Sequence, residues 1–93
     1  MLKIDKTDAL KIAKAKVDEY ARLDAAEYEI MLDRTIDWKN GWVFFYNASN
    51  FLRTGNYIYA LGGNAPMLVL FDGRLLELPT AIPVEKALSE LII

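Results

Sequence analysis

Carboxylates are the side chains of this sequence with the most chemical potential. Glu29, Asp33 and Asp37 recur at every fourth position, and Asp72, Glu77 and Glu85 follow further along. Converging carboxylates can do acid–base work or hold a hard cation. None of these forms a motif-spaced pair. The chain has no histidine, the side chain most used as general base and metal ligand. It has no cysteine, so thiolate chemistry and disulfides are absent too. Ser49 and Ser89 stand outside any nucleophile-elbow context. Gly62-Gly63-Asn64 is rich in glycine but lacks a Gly-x-Gly-x-x-Gly or Walker pattern, so it reads as a sharp entry to a strand at Pro66. The residue types argue against an enzyme and call for neither cofactor nor metal.

Recognition is the better use of the same residues. On a regular strand Glu29 and Asp33 share a side, and with Asp37 they would form an acidic strip on the outer face of a sheet. The bland reading of such a strip is a solvated surface. The sharper reading is a surface for a basic protein partner. Trp38, placed in a turn between Asp37 and Lys39, would border the strip as an interface anchor. Tyr57 and Tyr59 fall on an irregular stretch, and their phenols need water or a partner. Trp42, Phe44 and Phe71 read as core.

The elements that position these residues follow from periodicity. Asp5 reads as the N-cap of a helix over residues 6–23, with Asp8 complementing its first turn. Ala9, Ile12, Ala13, Val17 and Tyr20 fall on one side of that helix, and Lys16 among them must extend its amine outward. Asp18 and Arg22 have the spacing of a helical ion pair. From residue 27 the period changes to two, with Tyr28, Ile30 and Leu32 alternating with polar residues. A turn over 37–41 then leads into Trp42, Phe44 and Tyr46, so residues 27–47 form a hairpin. Residues 48–66 are irregular. There Phe51 to Gly55 reads as a loop or one helical turn, and Tyr57 to Leu61 as a short strand or, the favoured reading, an apolar strap across the core. A connection of that length in a small domain is often functional.

Residues 62–78 organise the rest. Met67 to Phe71 and Arg74 to Leu78 flank Asp72-Gly73, the signature of a type I′ hairpin turn. Leu68, Val69 and Leu70 are apolar on both faces of the pleat, which places the strand centrally, covered on both sides. Pro79 stops the hairpin, and Val84, Ala87, Leu88 and Leu91 predict a terminal helix over 83–92 beginning near Pro83. The expected fold is α+β, in the order α-β-β-β-β-α. It has an antiparallel four-stranded sheet with the N- and C-terminal helices packed on one face.

Length and composition bound the function. Ninety-three residues make one domain, 1–93, and 54% hydrophobic content excludes disorder. Thirteen acidic and eleven basic residues are interspersed, for a net charge of −2. A nucleic-acid binder would carry a basic face, so that class is excluded. No stretch is long enough for a membrane span and the first residues carry no signal-peptide pattern, which points to the cytoplasm. Exposed strand edges leave monomer and homodimer both open.

Three short motifs carry a resemblance: Gly41-Trp42-Val43-Phe44, then Phe51-Leu52-Arg53-Thr54-Gly55, then Gly63-Asn64-Ala65-Pro66. With the apolar strand and terminal helix that follow, their order resembles the immunity protein 35 family, also called YrhB-like. The resemblance covers residues 41–92. It implies a small bacterial protein that protects its cell by binding a cognate toxin, encoded beside it, as a stoichiometric inhibitor. The family also includes a chaperone-like member, so a holdase for exposed apolar segments is the alternative. If the partner is a basic toxin, Glu29, Asp33, Asp37, Trp38, Tyr57 and Tyr59 are the expected contact residues. Residues 56–62 are more aromatic than the family pattern, at a place where partner specificity would reside.

Overall fold

The computed structural model describes residues 3–92, so Met1, Leu2 and Ile93 of the expected 1–93 domain, with the very start of the amino-terminal reading, lie outside the described residues. The first helix, α1 (Lys6–Leu23), starts where its capping pattern places it. Extended Asp5 accepts the Asp8 N–H at 2.8 Å, satisfying one of the donors that a helix start leaves open. Ala9, Ala13 and Val17 are all buried, and their small side chains let the helix lie close against the sheet. The helix ends in a Schellman turn. Ala26 N–H donates to Ala21 at 2.9 Å and Ala25 N–H to Arg22 at 3.3 Å, with Ala25 left-handed at φ 51°. Asp18 is taken by Lys14, at 3.1 Å, rather than by the expected Arg22.

The hairpin expected over 27–47 forms, but both arms are interrupted. β1 (Tyr28–Ile30) pairs with β4 (Tyr46–Ala48), Ile30 opposite Tyr46. β2 (Ile36–Trp38) pairs with β3 (Gly41–Phe44), Ile36 opposite Val43. A 3-10 turn, Leu32–Arg34, separates β1 from β2, and Phe45 alone separates β3 from β4. Leu32 therefore leaves the alternation begun by Tyr28 and Ile30, and is exposed. Trp38 closes β2 opposite Gly41 instead of standing in the turn, which is Lys39-Asn40.

The main sheet runs β2-β3-β5-β6 and is antiparallel throughout, with β5 (Met67–Leu70) central and β6 (Leu75–Glu77) at an edge. β1 and β4 form a separate two-stranded sheet. The four expected strands are thus six segments in two sheets. All four residues of β5 are buried, as a two-sided apolar run requires. Met67 and Val69 join Ala9, Ala13, Val17, Phe44 and Tyr46 in one core. Leu68 and Leu70 join Val43, Leu78, Ala87 and Leu88 in the other. Ala87 and Leu88 belong to α3 (Val84–Ser89), which is shorter than expected and has Pro83 as its N-cap.

The two terminal helices consequently cover opposite faces of the sheet, and the expectation of a shared face is corrected. A strand apolar on both sides needs two covers, and each large side chain it buries contributes roughly 1.5–3 kcal/mol. The β5–β6 turn also differs from the type I′ expectation. Gly73 N–H donates to Leu70 and Leu70 N–H to Arg74, both at 2.9 Å, and of the loop residues only Gly73 has positive φ, at 90°. This is a three-residue loop, Phe71 to Gly73, with the glycine as a bulge. Phe71 leaves the strand to meet Trp42 edge-on, ring centroids 5.2 Å apart. The Arg74 backbone N–H and guanidinium both donate to Asp72, holding its carboxyl below the usual carboxylate range.

Candidate functional site

The irregular stretch folds into α2 (Ser49–Thr54) and a second 3-10 turn, Tyr57–Tyr59. Gly55 ends α2 in the left-handed region at φ 72°, its N–H donating to Phe51 at 2.7 Å. Asn56 then caps the 3-10 turn by accepting the Ile58 N–H at 3.1 Å. Two asparagines fasten the return path to the frame. Asn47 accepts the Leu61 N–H at 2.8 Å, and Asn64 donates its side-chain amide to the Tyr46 carbonyl at 2.7 Å. Leu61 packs on the α1-side core.

Between these fastenings the chain turns outward instead of crossing the core as a strap. Tyr57 is 82% exposed, Ile58 80% and Tyr59 47%. Leu52 on α2 is exposed beside them in sequence, and the Phe51 and Tyr57 rings meet at 5.3 Å. The result is an apolar projection on a hydrogen-bonded base. Of the six residues nominated from sequence, Tyr57 and Tyr59 come together here.

The other four do not form one strip. The interrupted strand removes the regular alternation that would align Glu29 with Asp33. Glu29 is exposed on β1, opposite Asn47, and Asp33 is exposed on the first 3-10 turn. Asp37 lies opposite Trp42, on the α1 side, and meets Lys6 at 3.4 Å. Trp38, the next residue, points to the other face and packs half-buried on the α3-side core. The Lys39 ammonium lies 5.6 Å from the centre of its ring.

A tyrosine cluster had no signal in the sequence, because its members come from α1, β1 and β4. Buried Tyr46 lies between Tyr20 and Tyr28, at centroid distances of 6.4 and 5.9 Å. The Tyr20 phenol donates to Glu77 on β6, and the Tyr28 phenol to Asp24 at 2.6 Å. Donation to a carboxylate, with loss of hydration second, pushes both phenols up to about 12. Burial, ahead of the nearby carboxylates, raises Tyr46 as well. These contacts lock α1 to both sheets.

A groove of about 260 Å³ runs between α1 and β1, lined by Leu10, Val17, Ile30 and Leu32 with Lys14, Asp18, Tyr28 and Glu29. Lys14 and Asp18 are bonded to each other and Tyr28 to Asp24, so most of its polar groups are already engaged. Among the described residues no group of three or more carboxylates is placed to hold a metal ion, and no helix is long and apolar enough to cross a membrane.

Residues 7–90 match the family model of immunity protein 35. The chain belongs to the immunity protein 35 family. It is also 35% identical over 79 residues to the uncharacterized protein YrhB of Escherichia coli (strain K12), covering 84% of this chain and 82% of that protein. No solved structure gives a significant match. The glycines and the asparagine of the three motifs noted in the sequence hold the frame together. Gly41 passes close to the β5 backbone, Gly55 ends α2, and Asn64 bonds β4. Two of these motifs thus build the base of the projection, whereas Tyr57 and Tyr59 form its tip.

Proposed function

We propose that this immunity protein 35 family member binds a cognate bacterial toxin and neutralises it without catalysis, as a stoichiometric inhibitor in the cytoplasm. Family membership supports the partner class. The observation that carries the contact surface is the exposed, anchored turn Tyr57–Tyr59. A surface held in place before binding loses less conformational entropy on binding, which favours a tight one-to-one complex. Tyr57 and Tyr59 make the main contact, and Glu29 and Asp33, though exposed, lie on other elements and stay outside it. Trp38 we assign to the fold, because it is packed on the core, and Asp37, exposed and paired with Lys6 on the other face, we leave outside the contact.

Co-expression with the toxin domain encoded beside this gene tests the reading. Survival of the host, with a one-to-one complex recovered by pull-down, is the expected result. No rescue, with many proteins weakly retained instead, would replace inhibition by a holdase activity toward exposed apolar segments.

A further inference from the structure

The side chains of a 3-10 turn leave its axis about 120° apart. Three consecutive exposed residues on such a turn therefore describe a knob, not one side of a flat face. Tyr57, Ile58 and Tyr59 are exposed in this way. A knob buries most surface in a concavity, and aromatic anchors seated in pockets dominate protein interfaces.

Charge narrows the chemistry of that concavity. From Ala48 to Phe71 the sequence has one charged residue, Arg53, although 26% of the whole chain is charged. Arg53 lies on α2, whose Phe51 touches Tyr57, and its exposed guanidinium is held by the Asn50 side chain. The knob thus offers apolar surface, two phenols and one oriented cation, with no carboxylate in its own stretch. Glu27 lines a cleft with Asn50 and Arg53 at the base, but residues 57–59 themselves carry no charge for a basic cleft to engage.

Resting on the neutralisation reading above, we infer that residues 57–59 seat in a concave, uncharged apolar pocket of the toxin, and that Arg53 at the knob's base meets a carboxylate on its rim. The complex is held by apolar burial, so it tolerates salt. This separates it from the acidic-surface mode expected for a basic partner, which screening would weaken.

The test is calorimetric titration of the full chain with the toxin domain encoded beside it, from about 50 to about 500 mM NaCl, a range that shrinks the screening length several-fold. The expected change in Kd across that range is under about threefold. Combining Tyr57→Ala with Ile58→Ala weakens binding about 100-fold with little change in melting temperature, because both side chains are mostly in water. Ile58→Asp, which leaves Tyr57 against Phe51, gives a similar loss. Arg53→Glu weakens binding about tenfold.

Binding by the double variant within about threefold of wild type overturns the knob, as does a Kd that rises more than about tenfold with salt. Unchanged or tighter binding by Arg53→Glu overturns the rim carboxylate. A wild-type dimer that Ile58→Asp dissociates would show that the knob seats in a second copy of this chain, which overturns its assignment to the toxin. Absence of any wild-type complex overturns the neutralisation reading itself, and the inference with it.

Discussion

Gly41 on β3 runs so close to Val69 on β5 that a Cβ atom at position 41 would lie 2.2 Å from the Val69 carbonyl oxygen. The obstacle is backbone in a central strand, so it cannot rotate away. Gly41→Ala must separate the two middle strands of the sheet, between the two cores. The expected loss is about 3 kcal/mol, read as a lower urea midpoint with an unchanged denaturant slope.

Two positive-φ positions respond in opposite directions to substitution. Ala25 pays for a left-handed φ of 51° at the end of α1, where glycine is the usual residue. Ala25→Gly is expected to stabilise the protein by about 0.5–1 kcal/mol. At Gly73, φ is 90° and the nearest atom to an added Cβ is Ile12 Cδ1, at 3.9 Å. Space is available there, but conformation is not. Gly73→Val should cost about 1–3 kcal/mol through the backbone alone. Thermal melting of the two variants checks both signs.

The phenols of Tyr20 and Tyr28 give the fold an alkaline limit. Each is pushed up to about 12, with the hydrogen bond to its carboxylate as the main cause. Ionisation is therefore easier in the unfolded chain, where a tyrosine keeps its ordinary value of 10.0. The stabilisation is complete below that value and is lost as pH rises toward about 12. Tyr20→Phe should lower stability at neutral pH, and its difference from wild type should shrink as pH rises through this window. Denaturation midpoints measured from about pH 7 to about pH 12 check the sign.

Charge reversal separates the acidic surface from the knob. Asp33→Lys combined with Asp37→Lys is expected to leave toxin affinity within about threefold. The loss of the exposed Lys6–Asp37 pair removes no more than about 1 kcal/mol of stability. Surface plasmon resonance on the double variant checks this, and a tenfold or larger loss would return the contact to the carboxylates.

The start of α1 is legible in the sequence because its causes are local: Asp5 caps it, and apolar residues repeat with the helical period. The two covered faces of the sheet are legible in β5, whose consecutive residues are all apolar. Placing both helices on one face overlooks the second cover that this pattern demands. The break at residues 32–34 is harder to read. Leu32 continues the alternation of Tyr28 and Ile30, while the interruption also involves Phe45, far along the chain on the opposite arm. Met31 N–H still donates to the Phe45 carbonyl at 2.8 Å, so the arms stay joined across the irregularity. Tyr57 to Tyr59 mislead for another reason. Their apolar run reads as a strap across the core even though the two phenols call for water or a partner, whereas the 3-10 turn leaves all three side chains exposed and the chain is fastened at Leu61 and Asn64 instead.

Those fastenings have an evolutionary consequence. Asn47 belongs to β4 and Asn64 to the approach to β5, so the residues that aim the projection are not the residues at its tip. Substitutions at 57, 58 and 59 leave both anchors, both cores and the sheet register in place. Natural selection can rewrite the tip while the scaffold is inherited unchanged, and descendants of one ancestral fold can diverge in what they recognise without refolding anew.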